Sequence, residues 1–242
     1  PAGYGNQVPD QSEQASDHAV IVLHHLNNSR SQRVLWLLEE LGLPYEIRFY
    51  KRDPKTMLAP PELLKVHPLG KSPVITDGEL TVAESGNIVE YLLERYGTDS
   101  GLLPAPGTPE RLRYRYWLHF AEGSAMPWLL LGLIFSKMPK AVPALIRPIA
   151  RMLGDGMRSR VVAPQVERQM RYMEDELGKN GWFAGKTITG ADIQMSFPVE
   201  GMRARGGLDG RYPNLLKFLE AIHARPAYQR ALEKGGPYEL LR

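Results

Sequence analysis

The stretch HPLGKSPVITDGELTVAES, His67–Ser85, decides how this chain folds. Ser72-Pro73-Val74-Ile75-Thr76 reads as a strand after a turn at Gly70. Asp77-Gly78 is a hairpin signal that hands over to a second strand, Leu80-Thr81-Val82. Proline donates no ladder hydrogen bond, so Pro73 belongs at a strand's first position, in a tight turn where an X-Pro bond is free to be cis. Beyond the second strand, Glu84-Ser85 opens a helix whose Ile88, Tyr91, Leu92 and Tyr96 fall at helical spacing. Two binding features therefore lie close together. The backbone of Ser72 faces outward at the strand start, ready to pair with an extended peptide. The helix start offers the Ser85 hydroxyl and free N–H groups, which suit a carboxylate. A small peptide with a free carboxylate satisfies both.

Working outward, the order of elements is β-α-β, then β-β-α, then helices alone. Ala19–Leu23 is an apolar run suited to a buried strand. Arg30–Leu41 carries Val34, Leu35, Leu38 and Leu41 on one face and stops at Gly42 with Pro44 beyond. Tyr45, Ile47 and Phe49 alternate with Glu46 and Arg48 as a second strand. Residues 1–17 are polar and without periodicity, so a disordered leader is expected there, with 18–97 as the first domain, 98–108 as a Gly/Pro-rich linker and 109–242 as a helical second domain. In the latter, Leu112, Tyr116, Trp117, Phe120 and Ser124 step by three and four along one helix. Thr189-Gly-Ala-Asp192 reads as a capping box with Asp in place of Glu, and Pro198 should kink the helix that follows.

Composition narrows the chemistry. The chain has 242 residues, 43% of them apolar, enough to bury a real core. Its 30 basic and 27 acidic residues give too slight a balance to imply nucleic acid, and no basic stripe with interleaved aromatics occurs. The absence of cysteine excludes disulfides, a cysteine nucleophile and thiolate metal sites. The six histidines lack metal-ligand spacing, so no metal is expected, and His24-His25 at a strand end reads as structural. No run approaches a membrane span, and a cytoplasmic location is expected from the lack of a signal-peptide pattern.

With these strings in view (NSR, RVLWLLEELGLPYE, APPELLKVHPLGKSPV, AESG and GADIQMSFP) the chain resembles the glutathione transferases over residues 19 to about 232. The likeness is closest in detail to a fungal and bacterial branch. It implies a thioredoxin-like domain (βαβ-ββα) followed by an all-α domain, with glutathione as cosubstrate, no metal, and a homodimer. By the same resemblance, Ser72 and Pro73 present the pairing backbone, and Glu84 and Ser85 take the γ-glutamyl end. Lys71, Arg52 or Lys51 meets the glycyl carboxylate, helped by His67, whose other reading is a turn-stabilising role before Pro68. Asp192 is implied to be structural.

Catalysis in that family rests on the glutathione thiolate. A free thiol near pKa ~8.5 is mostly protonated at neutral pH, and lowering it by about two units takes roughly 2.7 kcal/mol. The donor should sit in Leu26-Asn27-Asn28-Ser29-Arg30, between first strand and first helix. The Ser29 hydroxyl ranks first and the Asn28 amide second, with a backbone N–H of the turn as a third source. Either side chain is also a candidate to cap the helix at Arg30. A small hydrophobic electrophile would be received near Tyr116, His119, Glu122, Ser124 and Met126, although aromatics at helical spacing are more often core. The function expected is conjugation, or reduction of organic hydroperoxides, in a detoxification role. A glutathione-dependent lyase or disulfide reductase, and a non-enzymatic glutathione-binding scaffold, are the alternatives.

One segment departs from the ordinary pattern. Lys137–Arg160 sets several basic residues against one acid, with Val142, Leu145, Ile146, Ile149 and Met152 at helical intervals. It reads either as an extended hairpin packing on the pocket or a dimer partner, or as a membrane-surface contact.

Overall fold

The computed structural model describes residues 20–56, 58–205 and 207–238; the leader expected over 1–17 lies outside them. The first unit holds β1 (Ile21–Leu26), α1 (Ser31–Leu41), β2 (Tyr45–Tyr50), a 3-10 turn at Pro61–Lys65, β3 (Val74–Asp77), β4 (Leu80–Ala83) and α2 (Ser85–Tyr96). The sheet order is β2-β1-β3-β4, with β1 and β2 parallel and the other pairs antiparallel. Helices follow: α3 (Pro109–Phe120), α4 (Met126–Lys137), α5 (Arg147–Met157), α6 (Ala163–Asn180), α7 (Gly190–Ala204), α8 (Pro213–His223) and α9 (Pro226–Gly235). This is the expected mixed β-α domain followed by an all-α domain.

Local chemistry accounts for the element ends. Gly42 closes α1 at φ +61°, a left-handed position that glycine takes without a Cβ penalty, and its N–H returns to the Leu38 carbonyl. The Ser72–Pro73 bond takes the cis form that the sequence left open, and β3 starts just after it, at Val74 and not at Ser72. At the start of α7 the buried Asp192 carboxylate accepts from the N–H of Thr189 at 2.7 Å and of Phe183 at 2.8 Å, completing the capping box. The helix runs on through Pro198 to Ala204.

Three expectations change. Phe49 does not continue the buried side of β2. It is 58% exposed at the end of the edge strand, its ring against His25 at 5.6 Å between centroids, while the Tyr50 hydroxyl meets His24 Nδ1 at 2.9 Å. On α3 the buried side is Arg111, Tyr114, Trp117 and Leu118, whereas Leu112 and Tyr116 are exposed. Both stripes recur at helical spacing, so periodicity alone does not choose between them. Finally, the continuous helical stretch Pro109–Ala141 is long and apolar enough to cross a membrane by length and composition, with a mean hydropathy of 1.3 over its best window. Counting unbroken uncharged runs missed it, because such a window tolerates a few charges. Its α3 part is core, with Tyr114 and Trp117 fully buried, while much of α4 is exposed.

The two units share one core. Helix α1 is buried on nearly every side because it packs against β1 and also against α7 and α9. Trp36 meets the Tyr228 ring edge-on at 5.1 Å between centroids. Arg225 pairs with Glu40 and Arg230 with Glu39 across the same seam.

Candidate active site

A cavity of about 210 Å³ opens between the Ser72–Pro73 turn, the start of α2 and the end of α3. His67, Lys71, Ser72, Pro73, Glu84 and Ser85 all line it. Six of the residues singled out from sequence, spread over nineteen positions, thus face one space.

Each is held by identifiable contacts. The Ser72 hydroxyl donates to the His24 carbonyl at 2.8 Å and accepts from the Leu26 N–H at 3.3 Å, which staples the turn to β1. Its backbone N–H and C=O take part in no backbone hydrogen bond among the described residues. His67 Nδ1 accepts the Leu69 N–H at 3.3 Å, which fulfils the turn role and places the proton of a neutral ring on Nε2. Glu84 sits at φ +69°, uncommon for a residue with a side chain, and its exposed carboxylate pairs with no cation among the described residues.

Ser85 is the most constrained. Arg33 Nη2 donates to its hydroxyl oxygen at 2.8 Å and Gln194 Nε2 donates to the same oxygen at 3.2 Å. Both lone pairs are occupied, so the hydroxyl is left with its proton to give, at the positive end of α2. That is the electrostatics of a carboxylate receptor.

Arg33 itself is 1% exposed, in the first turn of α1. It bonds the Gln194 carbonyl at 2.6 Å and Glu122 Oε1 at 2.6 Å. Glu122 also takes Arg30 Nε on both oxygens, at 3.1 and 2.9 Å. Burial pushes the Glu122 carboxyl up, but the charges of Arg33 and Arg30 outweigh it and hold the group below its ordinary value. Glu122 reaches this position from a π-helical turn, Ala121–Ala125, between α3 and α4. One wider turn shifts the helix face, a device frequent at functional sites.

The β1–α1 turn sorts the thiolate candidates. Ser29 is 4% exposed and does not line the cavity. Its oxygen lies 2.7 Å from Ser31 Oγ, which lies 3.0 Å from His25 Nδ1, while His25 Nε2 meets the Gly235 carbonyl at 3.1 Å. A carbonyl only accepts, so Nε2 carries the ring proton and Nδ1 accepts from Ser31. Ser29 must then donate to Ser31, and its proton is spent inward. Burial pulls the His25 pKa down to about 4, which keeps the ring neutral and the order of protons intact. Asn28 adopts a left-handed φ of +50°, tolerated by asparagine, and like Ser29 it does not line the cavity. Arg52 is engaged on this turn, donating to the carbonyls of Asn27 at 3.3 Å and Asn28 at 3.4 Å, and it does not line the cavity.

Of the five residues expected to receive an electrophile, Glu122 alone lines the cavity, and Ser124 does not. Tyr116 joins an aromatic cluster with Trp117, Phe120 and Tyr172, away from the cavity. His119 is exposed and Met126 is buried in the core, neither against the cavity. Sequence reading also missed Arg30, which lines the cavity, and the pair Arg33 and Gln194 behind it. An arginine directly before the apolar run Val34–Leu38, in the first turn of α1, was the one available signal. Among the described residues no group of three or more His, Cys, Asp or Glu comes together to hold a metal ion.

Residues 18–94 match the model for the glutathione S-transferase N-terminal domain, and residues 148–235 that for the C-terminal domain. Glutathione S-transferase 3 of Schizosaccharomyces pombe is 36% identical over 215 residues, covering 89% of this chain and 88% of the relative. The chain belongs to the glutathione S-transferase family. It is an enzyme of the glutathione S-transferase type, which removes the scaffold alternative. Among solved structures, a glutathione S-transferase from Actinobacillus pleuropneumoniae superposes with a TM-score of 0.73 at 35% identity, over 92% of this chain and 96% of that one. A glutathione transferase of Phanerochaete chrysosporium, solved in complex with oxidized glutathione, gives 0.70 at 28% identity, over 89% and 96%.

Proposed function

We propose that this glutathione S-transferase holds glutathione with its γ-glutamyl carboxylate on Ser85, its γ-glutamyl ammonium on Glu84 and its cysteinyl backbone along Ser72. Lys71 and His67 receive the glycyl carboxylate. The observation that carries the reading is the meeting, in one cavity, of an unpaired Ser72 backbone and a Ser85 hydroxyl with only its proton to give. The complex of the Phanerochaete relative with oxidized glutathione supports the same ligand class.

The thiol then lies over the β1–α1 turn. There the Asn28 amide and a backbone N–H of the turn stabilise the thiolate, with Ser29 and Ser31 fixing the turn from behind. The thiolate sulfur attacks an electrophilic carbon of a small hydrophobic substrate, the C–S bond forms, and the leaving group departs with its electron pair. A hydroperoxide is reduced by the same nucleophile. Sulfur attacks oxygen, the O–O bond breaks, the alkoxide takes a proton, and a second glutathione converts the sulfenic product to disulfide and water. Similarity at a comparable level to a fungal relative and a bacterial structure supports the fungal and bacterial branch. A homodimer and a cytoplasmic setting complete the reading.

The test is titration of the protein with glutathione, following thiolate ultraviolet absorbance from acid to alkaline pH. A bound thiol pKa well below the free value is expected. Binding with an unshifted pKa would refute thiolate activation.

A further inference from the structure

Helix α5 is amphipathic in the wrong direction for a helix that serves only the core. Its buried residues are the small ones, Ala150 and Gly154, and a Cβ on Gly154 would come within 2.7 Å of the Phe135 carbonyl of α4. The large apolar residues of the segment point away from the protein. Leu145 is 90% exposed, Met152 66%, and Ile149 and Leu153 56% each. A globular helix ordinarily turns its apolar stripe to the core, where burial stabilises it. Here close backbone approach seats the helix and the apolar stripe is left for something else.

Charge indicates what covers it. Lys137, Lys140, Arg147, Arg151, Arg158 and Arg160 surround the stripe and are all exposed, against one acid, Asp155, which lies 3.5 Å from Arg158. Apposing this patch to the same patch of a second copy would set these cations against their counterparts. An anionic, flat, apolar-cored surface complements both features at once. We propose that α5 and the turn before it dock this enzyme onto anionic phospholipid bilayers, with Leu145, Ile149, Met152 and Leu153 entering the acyl boundary and the surrounding cations meeting phosphate headgroups. The apolar surface of α4 at Leu130 and Ile134, 49% and 51% exposed, adds to the outward-facing area of the same helical hairpin. The active-site cavity is lined by other elements, so docking leaves glutathione chemistry intact.

The experiment is co-sedimentation of the full chain with vesicles of equal parts phosphatidylcholine and phosphatidylglycerol, and with phosphatidylcholine alone, at low and high salt. Binding to the anionic vesicles, weakened by salt, is expected. The double substitution Ile149→Glu/Met152→Glu should reduce the bound fraction at least about tenfold, with circular dichroism, sedimentation mass and turnover unchanged. Arg147→Glu/Arg151→Glu should abolish the preference for anionic lipid. Failure of the unmodified chain to bind anionic vesicles at low salt overturns the proposal, as does undiminished binding by both variants. A fall in sedimentation mass for Ile149→Glu/Met152→Glu would also overturn it, identifying the face as a contact between copies.

Discussion

Arg33 Nη2 lies 2.8 Å from Ser85 Oγ, and this contact turns an ordinary helix-start serine into an obligate donor. A buried guanidinium in α1 and an amide on α7 fill the oxygen's lone pairs, so the one hydrogen bond left to make is outward, to an acceptor. Ser85→Ala should therefore raise the glutathione Kd about tenfold or more, the value of a hydrogen bond to a charged group. Calorimetric titration measures it. An unchanged Kd in a variant with unchanged melting temperature would remove Ser85 from the site.

Ser29 and Asn28 separate in the thiol titration. Asn28→Ala should move the bound thiol pKa back toward its free value. Ser29→Ala should leave that pKa nearly in place and instead destabilise the fold by about 1 kcal/mol, because it ends the chain of hydroxyls leading to His25. A thiol pKa that reverts in Ser29→Ala alone would return the role to the hydroxyl.

Glu122 compensates two arginines, one of them fully buried. Glu122→Gln should cost about 2 kcal/mol or more in urea unfolding, less than the loss of a wholly buried partner because the carboxylate is partly solvated. It should also raise the KM for glutathione, since Arg33 orients Ser85. Loss of stability without any change in KM would confine the network to a structural role.

Acid should unfold the protein in two stages. The His25 pKa is depressed from 6.5 to about 4 by burial, so below pH 6.5 the unfolded chain takes a proton that the folded one refuses. Stability then falls as pH drops toward 4, by up to about 3 kcal/mol. The Glu122 carboxyl is held below its ordinary 4.5, so its contribution is present above that pH and is lost as pH falls through the folded value. Urea midpoints measured against pH, with His25→Gln as comparison, check the first stage. A slope between pH 6.5 and 4 that survives in His25→Gln would assign it to other groups.

The order of elements was legible because its signals are local. Asp77-Gly78, Gly42 with Pro44, and Thr189 with Asp192 act within a few residues, and each ends or starts an element where expected. Ser72, Pro73, Glu84 and Ser85 were legible for the same reason, since one hairpin carries them all to one cavity. What tertiary structure alone decided concerns groups brought together from far apart. Gln194 stands 109 positions from Ser85, and Glu122 stands 89 from Arg33. Which stripe of α3 is buried, which way the Ser29 proton points and which side of α5 meets the protein depend on neighbours from other elements. Helical spacing repeats identically on every face, so a sequence states that a stripe exists and packing determines what it meets.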